Sequence, residues 1–214
     1  MTEYALYCFA ESGNCYKVAL MLALTGVDWQ ARWVDYFGGE TRSDAYRNSV
    51  SIMGEAPVLL HRNERIAQSG VILDYLVEQT GNFGPYDAAE RREIWRWILF
   101  DNHKFTSYFA TLRWLVGIQK SDDRQVIDFL RGRVKSAFDI VERHLQAHPY
   151  VVGDRPTIAD ISMVGYLYYP EETGIDLNAF PHIAAWTQRI AQLPGWKHPY
   201  ELMPRRAGLE SSSA

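Results

Sequence analysis

The stretch that decides the fold is residues 4–25, YALYCFAESGNCYKVALMLALT. It begins with apolar and aromatic residues typical of a β-strand, which small and polar residues then interrupt. From Cys15 onward, apolar residues recur at the three- and four-residue spacing of one helical face. This order predicts a strand, a turn and a helix with Ser12 and Asn14 at its N-terminus. Because the first N–H groups of a helix lack partners, Ser12 is either a simple N-cap or part of an anion-binding site.

The composition is that of an ordinary globular protein, with 214 residues of which 47% are hydrophobic and 22% charged. The net charge of −4 and the lack of a basic stripe argue against a nucleic-acid partner. The sequence has no secretory leader and no apolar run near the roughly 18 residues of a membrane span, so we expect a cytoplasmic protein without a membrane partner. Two cysteines, Cys8 and Cys15, are too few for a disulfide framework and are expected to be reduced.

Residues 1–80 are predicted to form an α/β domain. A second strand follows the first helix at residues 29–35, and an extended apolar strand begins at Pro57. A hairpin turn and a short partner strand come next, and Ser69 is the natural N-cap of another helix. Strands and helices in this order predict a small layered domain with a mixed sheet.

Beyond a linker with glycine and proline, residues 87–205 are predicted to form an all-helical domain. Its first long segment lacks both residue types and carries apolar side chains at helical spacing. Thr157 and Asp160 form a capping box at the start of a later helix. The predicted helices span residues 87–114, 123–147, 158–168 and 181–192, and the polar tail 207–214 is expected to be disordered.

Three local motifs occur in a fixed order along the chain. They are Ser12-Gly13-Asn14-Cys15 at a strand-to-helix turn, Ala56-Pro57 at a strand start and Gln68-Ser69 at a helix start. With the helical second half and its segment Gly153-Asp-Arg-Pro-Thr-Ile-Ala-Asp160, they resemble the cytosolic glutathione transferase family over about residues 3–200. The resemblance implies a thioredoxin-like N-terminal domain, an all-α C-terminal domain, glutathione as co-substrate and a homodimer.

In that family the nucleophile is the thiol of glutathione, which reacts as the thiolate. A free thiol has a pKa of about 8.5, and lowering it by about two units requires roughly 2.7 kcal/mol of thiolate stabilisation. The resemblance implies that Ser12 takes the place of the family's catalytic Ser, Tyr or Cys and donates a hydrogen bond to the thiolate. Asn14 is a second candidate donor, and Tyr7 on the first strand is a third. Cys15 follows Ser12 by three residues, but without a cysteine at position 12 dithiol redox cycling is excluded.

The other two motifs are expected to bind the rest of glutathione. Pro57 resembles the family's cis-proline, which leaves the backbone of Ala56 free to pair with the cysteinyl part of the tripeptide. Ser69, at a helix start, suits the γ-glutamyl carboxylate, with Gln68 beside it. The commonest family residue before that serine is acidic, so Gln68 changes which group binds the γ-glutamyl ammonium. Asp101, acting across a dimer interface, is one candidate.

The remaining site assignments depend on residue type alone. Arg42, with Arg47 as an alternative, is a candidate for binding the glycyl carboxylate by its charge. Three aromatic residues of the helical half are candidates for an apolar pocket that binds the second substrate: Phe105, Tyr108 and Tyr166. At least half of such helical aromatics are expected to be core residues. The six histidines do not pair at ligand spacing, so no metal site is predicted.

The sequence therefore predicts a glutathione transferase that joins the glutathione thiolate to small hydrophobic electrophiles, as detoxification enzymes do. Positioning and thiolate stabilisation would supply the rate without a protein general base. Two alternatives stay open: a glutathione-dependent isomerase or peroxidase on the same fold, and a non-catalytic glutathione-binding protein. The turn Ser12-Gly-Asn-Cys-Tyr-Lys-Val18 is similar to that of the isomerase branch of the family.

Overall fold

The structure, a computed structural model, describes residues 3–205 and divides into two compact units. The first unit combines the N-terminal part up to Asn82 with the C-terminal segment from Pro194, and the second runs from Phe83 to Leu193. The tail 207–214, which the sequence predicts to be disordered, lies outside the described residues.

The first unit contains a four-stranded mixed sheet in the order β2-β1-β3-β4. Its strands are β1 (Tyr4–Cys8), β2 (Trp29–Trp33), β3 (Val58–His61) and β4 (Glu64–Ala67). Its main helices are α1 (Gly13–Thr25) and α3 (Ser69–Thr80), with the short α2 (Asp44–Ser49) between them in the chain. The crossover through α1 makes β1 and β2 parallel, whereas β3 is antiparallel to both β1 and β4. This is the thioredoxin-like α/β fold that the sequence predicts.

The C-terminal segment belongs to the first unit, although the sequence places it in the helical domain. The hydroxyl of Tyr16, on α1, donates to the carbonyl of Lys197 at 2.9 Å. The N–H of Ala10 donates to the carbonyl of Pro204 at 3.1 Å. These long-range bonds, and the short α9 (Pro199–Leu202) that lies beside α1, connect residues too distant in the chain for a local pattern to pair them.

The second unit is all-helical, as predicted. Its first helix is capped by the Asp87 carboxylate, which accepts hydrogen bonds from the N–H groups of Ala89 and Glu90 at 2.8 Å each. Two π-helical segments occur later in this unit. The regular apolar spacing of the sequence does not predict them. The elements are α4 (Ala88–Phe100), a π segment (Asp101–Phe105), α5 (Thr106–Arg113), a π segment (Trp114–Ile118), α6 (Arg124–Leu145), α7 (Ile158–Met163), a 3-10 turn (Val164–Tyr166) and α8 (Pro181–Ala191). Within residues 3–205, no helix is long and apolar enough to cross a membrane.

A fully buried carboxylate, Asp160, connects three parts of the helical unit. Its Oδ1 accepts hydrogen bonds from the N–H of Val151 and from the indole N–H of Trp186, both at 2.9 Å. Its Oδ2 accepts from the N–H of Thr157 at 2.9 Å and from the Thr157 hydroxyl at 3.1 Å, which completes the predicted capping box. Burial raises the pKa of Asp160 to about 6 in spite of these bonds. The residue is therefore structural.

We expect Asp160→Asn to lower the free energy of unfolding by about 2–4 kcal/mol, because the new amide N–H would face N–H or O–H donors and leave buried groups unpaired. Urea denaturation checks this, with Asp122→Asn, an exposed residue of the same unit, as the control.

A raised pKa means that the folded state binds the proton more tightly than the unfolded state. The wild-type protein should therefore lose stability relative to Asp160→Asn as the pH rises from about 4 to about 6. Equal stability of the wild-type protein and Asp160→Asn would contradict the structural role of Asp160.

Candidate active site

The three polar motifs meet at one edge of the sheet. β1 and β3 are antiparallel with Tyr7 opposite Val58, so the turn after β1 lies beside the residues that enter β3. β3 and β4 form an antiparallel hairpin, so the residues that leave β4 lie at the same edge. The sheet thus brings together Ser12, the Ala56–Pro57 segment and Ser69, which are far apart in the sequence.

Ser12 caps helix α1 and keeps a proton to donate. Its Oγ accepts a hydrogen bond from the N–H of Cys15 at 3.2 Å, and its own N–H donates to the carbonyl of Phe9 at 3.2 Å. The Ser12 hydroxyl also interacts with the Cys15 thiol, which is a weak acceptor. A thiolate is charged and accepts a stronger hydrogen bond. Capping and thiolate binding are therefore compatible roles of one hydroxyl.

Asn14 lies in the first turn of α1 and is partly exposed. Its side-chain oxygen Oδ1 is buried and has no hydrogen-bond partner among residues 3–205. An oxygen only accepts hydrogen bonds, so the amide NH2 is the group of Asn14 that is able to stabilise a thiolate.

The two protein thiols are unsuited to nucleophilic chemistry. Cys8 and Cys15 are free and fully buried, as the sequence predicts. Burial raises the pKa of Cys15 to about 12, and the hydrogen bonds from Ser12 and Phe9 lower it only in part. Burial also raises the pKa of Cys8. Both thiols stay protonated at neutral pH, so a reactive sulfur at this edge must come from a ligand.

The Ala56–Pro57 peptide bond is cis, as the resemblance implies. Neither the N–H nor the carbonyl of Ala56 has a hydrogen-bond partner within residues 3–205. Two residues before Ala56, Gly54 has a φ of +65°, and a Cβ there would lie 2.7 Å from the carbonyl oxygen of Thr41. Only glycine fits this position, which fixes how the chain enters β3. The result is a short unpaired backbone segment, available to an extended peptide.

The third motif differs from its prediction. Helix α3 begins at Ser69, so its N-cap is Gln68, whose side chain makes no capping bond. Ser69 is only 6% exposed and is the first helical residue; its assignment as the N-cap is wrong, although it does lie at a helix start. Gln68 has a φ of +70°, a left-handed conformation that is strained for a residue with a Cβ. Its amide donates to the Glu55 carboxylate at 2.7 Å.

Glu55, the partner of Gln68, is a residue of this edge that the sequence analysis does not single out, because its position predicts only the entry into a strand. The available signal was an acidic residue directly before the Ala56-Pro57 motif, in a chain whose Gln68 is uncharged. Only the pairing of β3 with β4 shows that Glu55 and Gln68 are neighbours.

The two arginine candidates lie in different places. Arg42 is exposed, and its guanidinium folds back over Gly39, where a Cβ would be 2.8 Å from Nη2. Arg47, also exposed, has its Nε 3.1 Å from the position of a Cβ on Gly54. Arg47 thus lies against the segment that leads into Pro57, whereas the contacts of Arg42 are within its own loop.

Comparison with known proteins decides the family. A model described as "Glutathione S-transferase, N-terminal domain" matches residues 6–84, and one described as "Glutathione S-transferase, C-terminal domain" matches residues 105–194. The crystal structure of a glutathione S-transferase from Pseudomonas fluorescens Pf-5 is 31% identical in sequence, with a TM-score of 0.88. The alignment covers 93% of this chain and 100% of that one. The chain belongs to the glutathione S-transferase family.

Two further relatives show how this family varies. Maleylacetoacetate isomerase from Pseudomonas aeruginosa is 29% identical over 204 residues, which cover 91% of this chain and 95% of that protein. A glutathione transferase from Phanerochaete chrysosporium, solved with oxidized glutathione, is 21% identical with a TM-score of 0.83, and the alignment covers 94% of this chain and 95% of that one. At that identity the second likeness concerns the fold. These names support a glutathione-related enzyme and leave the reaction open between transfer and isomerisation.

Within this glutathione S-transferase fold, Tyr7 points to the neighbouring strand. Its hydroxyl accepts a hydrogen bond from Nη1 of Arg32 at 2.8 Å, and Arg32 is its register partner on β2. The Arg32 guanidinium also lies 5.3 Å from the centre of the Tyr7 ring. Tyr7 is therefore held by β2, which makes Ser12 the better-placed candidate at the turn.

The aromatic candidates of the helical unit divide into core and surface residues. Phe105 is 1% exposed, and its ring stacks on that of Phe138 at 4.7 Å, so it is a core residue and not a pocket wall, which corrects the sequence prediction. Tyr108 is half-buried, and its hydroxyl accepts a hydrogen bond from Nη2 of Arg133 at 2.8 Å. Tyr166 is half-buried in the 3-10 turn that packs beside α5.

Asp101 also differs from its prediction. It is 0% exposed, and its carboxylate accepts hydrogen bonds from the hydroxyls of Thr106 and, at 2.7 Å, Ser162. Enclosed in this way, Asp101 stabilises the π segment of the helical unit and is not accessible to a ligand. No cluster of three or more metal-binding side chains occurs in the described part of the chain, residues 3–205.

The burial of Cys8 and Cys15 predicts their reactivity. We expect neither thiol of the native protein to react with an aromatic disulfide reagent at pH 7.5 on the timescale of minutes, because both are buried and protonated. Absorbance of the released thiolate should show two reactive thiols only after denaturation, in accordance with the two cysteines of the chain. Rapid labelling of the native protein would contradict this expectation.

Proposed function

We propose that this protein binds glutathione at the sheet edge and activates its thiol for attack on small hydrophobic electrophiles. The observation that carries the proposal is the position of the Ser12 hydroxyl, which caps α1 in the turn that follows β1. β1 pairs with β3, and Ala56, whose backbone has no hydrogen-bond partner among residues 3–205, lies directly before the cis-proline that leads into β3. Membership of the glutathione S-transferase family supports glutathione as the ligand.

In the proposed complex, the cysteinyl backbone of glutathione pairs with Ala56 like an added strand. The γ-glutamyl carboxylate lies at the N-terminus of α3, with the N–H and hydroxyl of Ser69. The glycyl carboxylate binds Arg47 or Arg42. This arrangement directs the cysteinyl sulfur toward Ser12, with the amide NH2 of Asn14 as a supporting donor.

The energy available from this arrangement is of the size required. A hydrogen bond to a charged acceptor contributes about 1.5–3 kcal/mol, and a helix N-terminus about 0.3–1 kcal/mol. Together they account for the roughly 2.7 kcal/mol that lowers a thiol pKa by about two units. The thiol proton then leaves to solvent, and no protein general base is required.

The transfer reaction follows from the thiolate. Its sulfur electron pair forms a bond to an electrophilic carbon, and a leaving group departs with the electron pair of the bond that breaks. Ser12 holds the sulfur in place and favours the thiolate until it attacks. One glutathione is consumed for each product formed.

A second candidate reaction, isomerisation, is favoured by the full-length likeness to maleylacetoacetate isomerase. There the thiolate adds to one carbon of a conjugated cis double bond, and rotation follows about the resulting single bond. Loss of the same thiolate restores the double bond in the trans form. Glutathione is regenerated, so Ser12 would serve the same role in both reactions.

The two reactions are distinguished by the fate of glutathione. We expect the protein to be retained on immobilised glutathione and to consume one glutathione per turnover with a chloronitrobenzene. Turnover of a cis-enedione with glutathione unchanged would instead establish the isomerase, and turnover of a hydroperoxide the peroxidase. Retention without turnover of any of these would indicate a binding protein, and neither retention nor turnover would contradict the proposal.

Replacing Ser12 tests the thiolate donor. We expect Ser12→Ala to lower kcat/KM about ten- to a hundredfold, because a hydrogen bond to the charged sulfur is lost. Ser12→Thr, which keeps a hydroxyl, should retain most of the activity. Unchanged activity in Ser12→Ala would indicate that Asn14 or Tyr7, and not Ser12, donates the hydrogen bond to the thiolate.

A matched control separates this role from helix capping, since Ser12→Ala also removes an N-cap at a cost of about 1 kcal/mol. Asp123 caps α6 at the same spacing, accepting from the N–H of Val126, three residues on, at 3.2 Å. Ser12 accepts from the N–H of Cys15 at the same distance. Asp123→Ala should therefore destabilise the protein by a similar amount and leave kcat/KM unchanged.

The resemblance also implies a cytoplasmic homodimer. Sedimentation equilibrium checks whether the protein is a homodimer, since a homodimer has twice the 24.6 kDa mass of the chain.

A further inference from the structure

The turn of residues 9–12, which ends at the candidate thiolate donor, is held by the C-terminal segment. The turn is closed by the hydrogen bond between its last N–H and its first carbonyl, at 3.2 Å. Both of its central residues contact the C-terminal segment. The N–H of Ala10 donates to the carbonyl of Pro204 at 3.1 Å, and the Glu11 carboxylate lies 3.5 Å from Nε of Arg205. The far end of the chain therefore helps to fix this turn.

The same segment also contacts α1 along its length. Gly195 has a φ of +91°, and a Cβ there would lie 2.6 Å from the carbonyl oxygen of Ala23, in the last turns of α1. Only glycine allows the two backbones to approach so closely. Nearer the start of α1, Tyr16 donates to the carbonyl of Lys197. These contacts lead the segment back along the helix and bring Arg205 to the turn before it.

Glu11 places a carboxylate one residue before Ser12. Its side chain is only 8% exposed, and a carboxylate so nearly buried needs a compensating charge. A second negative charge, the glutathione thiolate, is proposed to form at the next residue. A like charge at close range raises the pKa of a thiol and disfavours its thiolate. The turn is therefore suited to an anion only when Glu11 is neutralised.

Arg205 supplies the compensating charge from the C-terminal segment. Its guanidinium lies beside the Glu11 carboxylate, and its Cζ lies 4.0 Å from the centre of the Tyr200 ring, a cation–π contact that restrains it. The arginine side chain is 23% exposed, so solvent screens the pair only in part.

Building on the proposed glutathione site, we propose that Arg205 is a positioning residue for the thiolate. It neutralises Glu11 and holds the turn that carries Ser12, without itself having to touch glutathione. The C-terminal segment is thereby part of the machinery that favours the thiolate. Without Arg205, the carboxylate of Glu11 would repel the thiolate that Ser12 binds.

Further titratable side chains lie on the elements packed around the turn. They are Cys8 on β1, Cys15 and Lys17 on α1, Tyr36 against the ring of Phe9, and His198 and Glu201 at the start of α9 and within it. Each is the same in all of the variants below, so its contribution cancels when their titrations are compared. A difference between variants therefore reports the charges of Glu11 and Arg205.

The test measures the thiol pKa of bound glutathione from the ultraviolet absorbance of the thiolate as the pH rises. The protein is in excess so that the glutathione is bound, and the titration of the protein alone is subtracted. We expect Arg205→Ala to raise this pKa by about one unit relative to the wild-type protein, because Glu11 is then uncompensated. At a pH below both pKa values, the fraction present as thiolate should fall about tenfold.

Two variants separate charge from packing. Arg205→Lys keeps the positive charge and should keep the thiol pKa close to that of the wild-type protein. The double variant Glu11→Gln/Arg205→Ala removes both charges and should return the pKa toward the wild-type value, although the arginine side chain is still missing. A purely structural role of Arg205 predicts the opposite, since the second substitution would then restore nothing.

Arg155→Ala is a matched control. Arg155 pairs with Glu90 at 2.8 Å in the helical unit, its side chain is 22% exposed, and its Cζ lies 3.7 Å from the centre of the Tyr86 ring. It therefore reproduces the ion pair, the exposure and the cation–π contact of Arg205 away from the turn. Its loss should leave the thiol pKa of bound glutathione unchanged.

The outcomes separate this inference from the proposed function. If the wild-type protein lowers the thiol pKa of bound glutathione and Arg205→Ala lowers it equally, the role of Arg205 is overturned and the glutathione site stands. If Arg205→Ala raises the pKa and the double variant does not restore it, the charge compensation is overturned. A wild-type protein that does not bind glutathione, or binds it with the pKa of the free thiol, contradicts the proposed function and this inference together.

Discussion

The candidate site depends on the antiparallel pairing of β3 with both of its neighbours. Because β3 is an interior strand, the residues that enter it lie beside the residues that leave β1 and β4. A slip of one residue in either register would turn the side chains of a strand to the opposite face of the sheet. The cis Ala56–Pro57 bond and Gly54 are found at this entry. Ser12, which follows β1, and Ser69, which follows β4, come to the same edge of the sheet through this pairing.

Burial then divides the polar groups of the first unit into two kinds. The thiols of Cys8 and Cys15 are buried so completely that their pKa values rise. Both thiols therefore stay protonated and unreactive at neutral pH. The Ser12 hydroxyl, the backbone of Ala56 and the Glu55 carboxylate instead keep hydrogen-bonding capacity that the protein leaves unused or only weakly used. The proposed ligand, glutathione, has a thiol and a peptide backbone that correspond to the first two of these groups.

The sequence predictions fail where a residue type is compatible with two environments. An aromatic residue at helical spacing is suited to a pocket or to the core, and Phe105 is in the core against Phe138. An aspartate on a helix is suited to a ligand or to an internal hydrogen bond, and Asp101 binds Thr106 and Ser162. In both cases the missing information is which face of the helix packs inward, and that depends on partners distant in the chain.

The sequence by itself determined the order of strands and helices, the change from an α/β to a helical architecture, the reduced cysteines and the three polar motifs. These follow from local chemistry: side-chain periodicity, the conformational limits of glycine and proline, and the capping preferences of serine and aspartate. Only the tertiary structure decided that the C-terminal segment joins the first unit, that Gln68 precedes α3 with a positive φ and that Glu55 is its partner. Those features depend on hydrogen bonds between residues far apart in the chain, and no local pattern specifies such pairs.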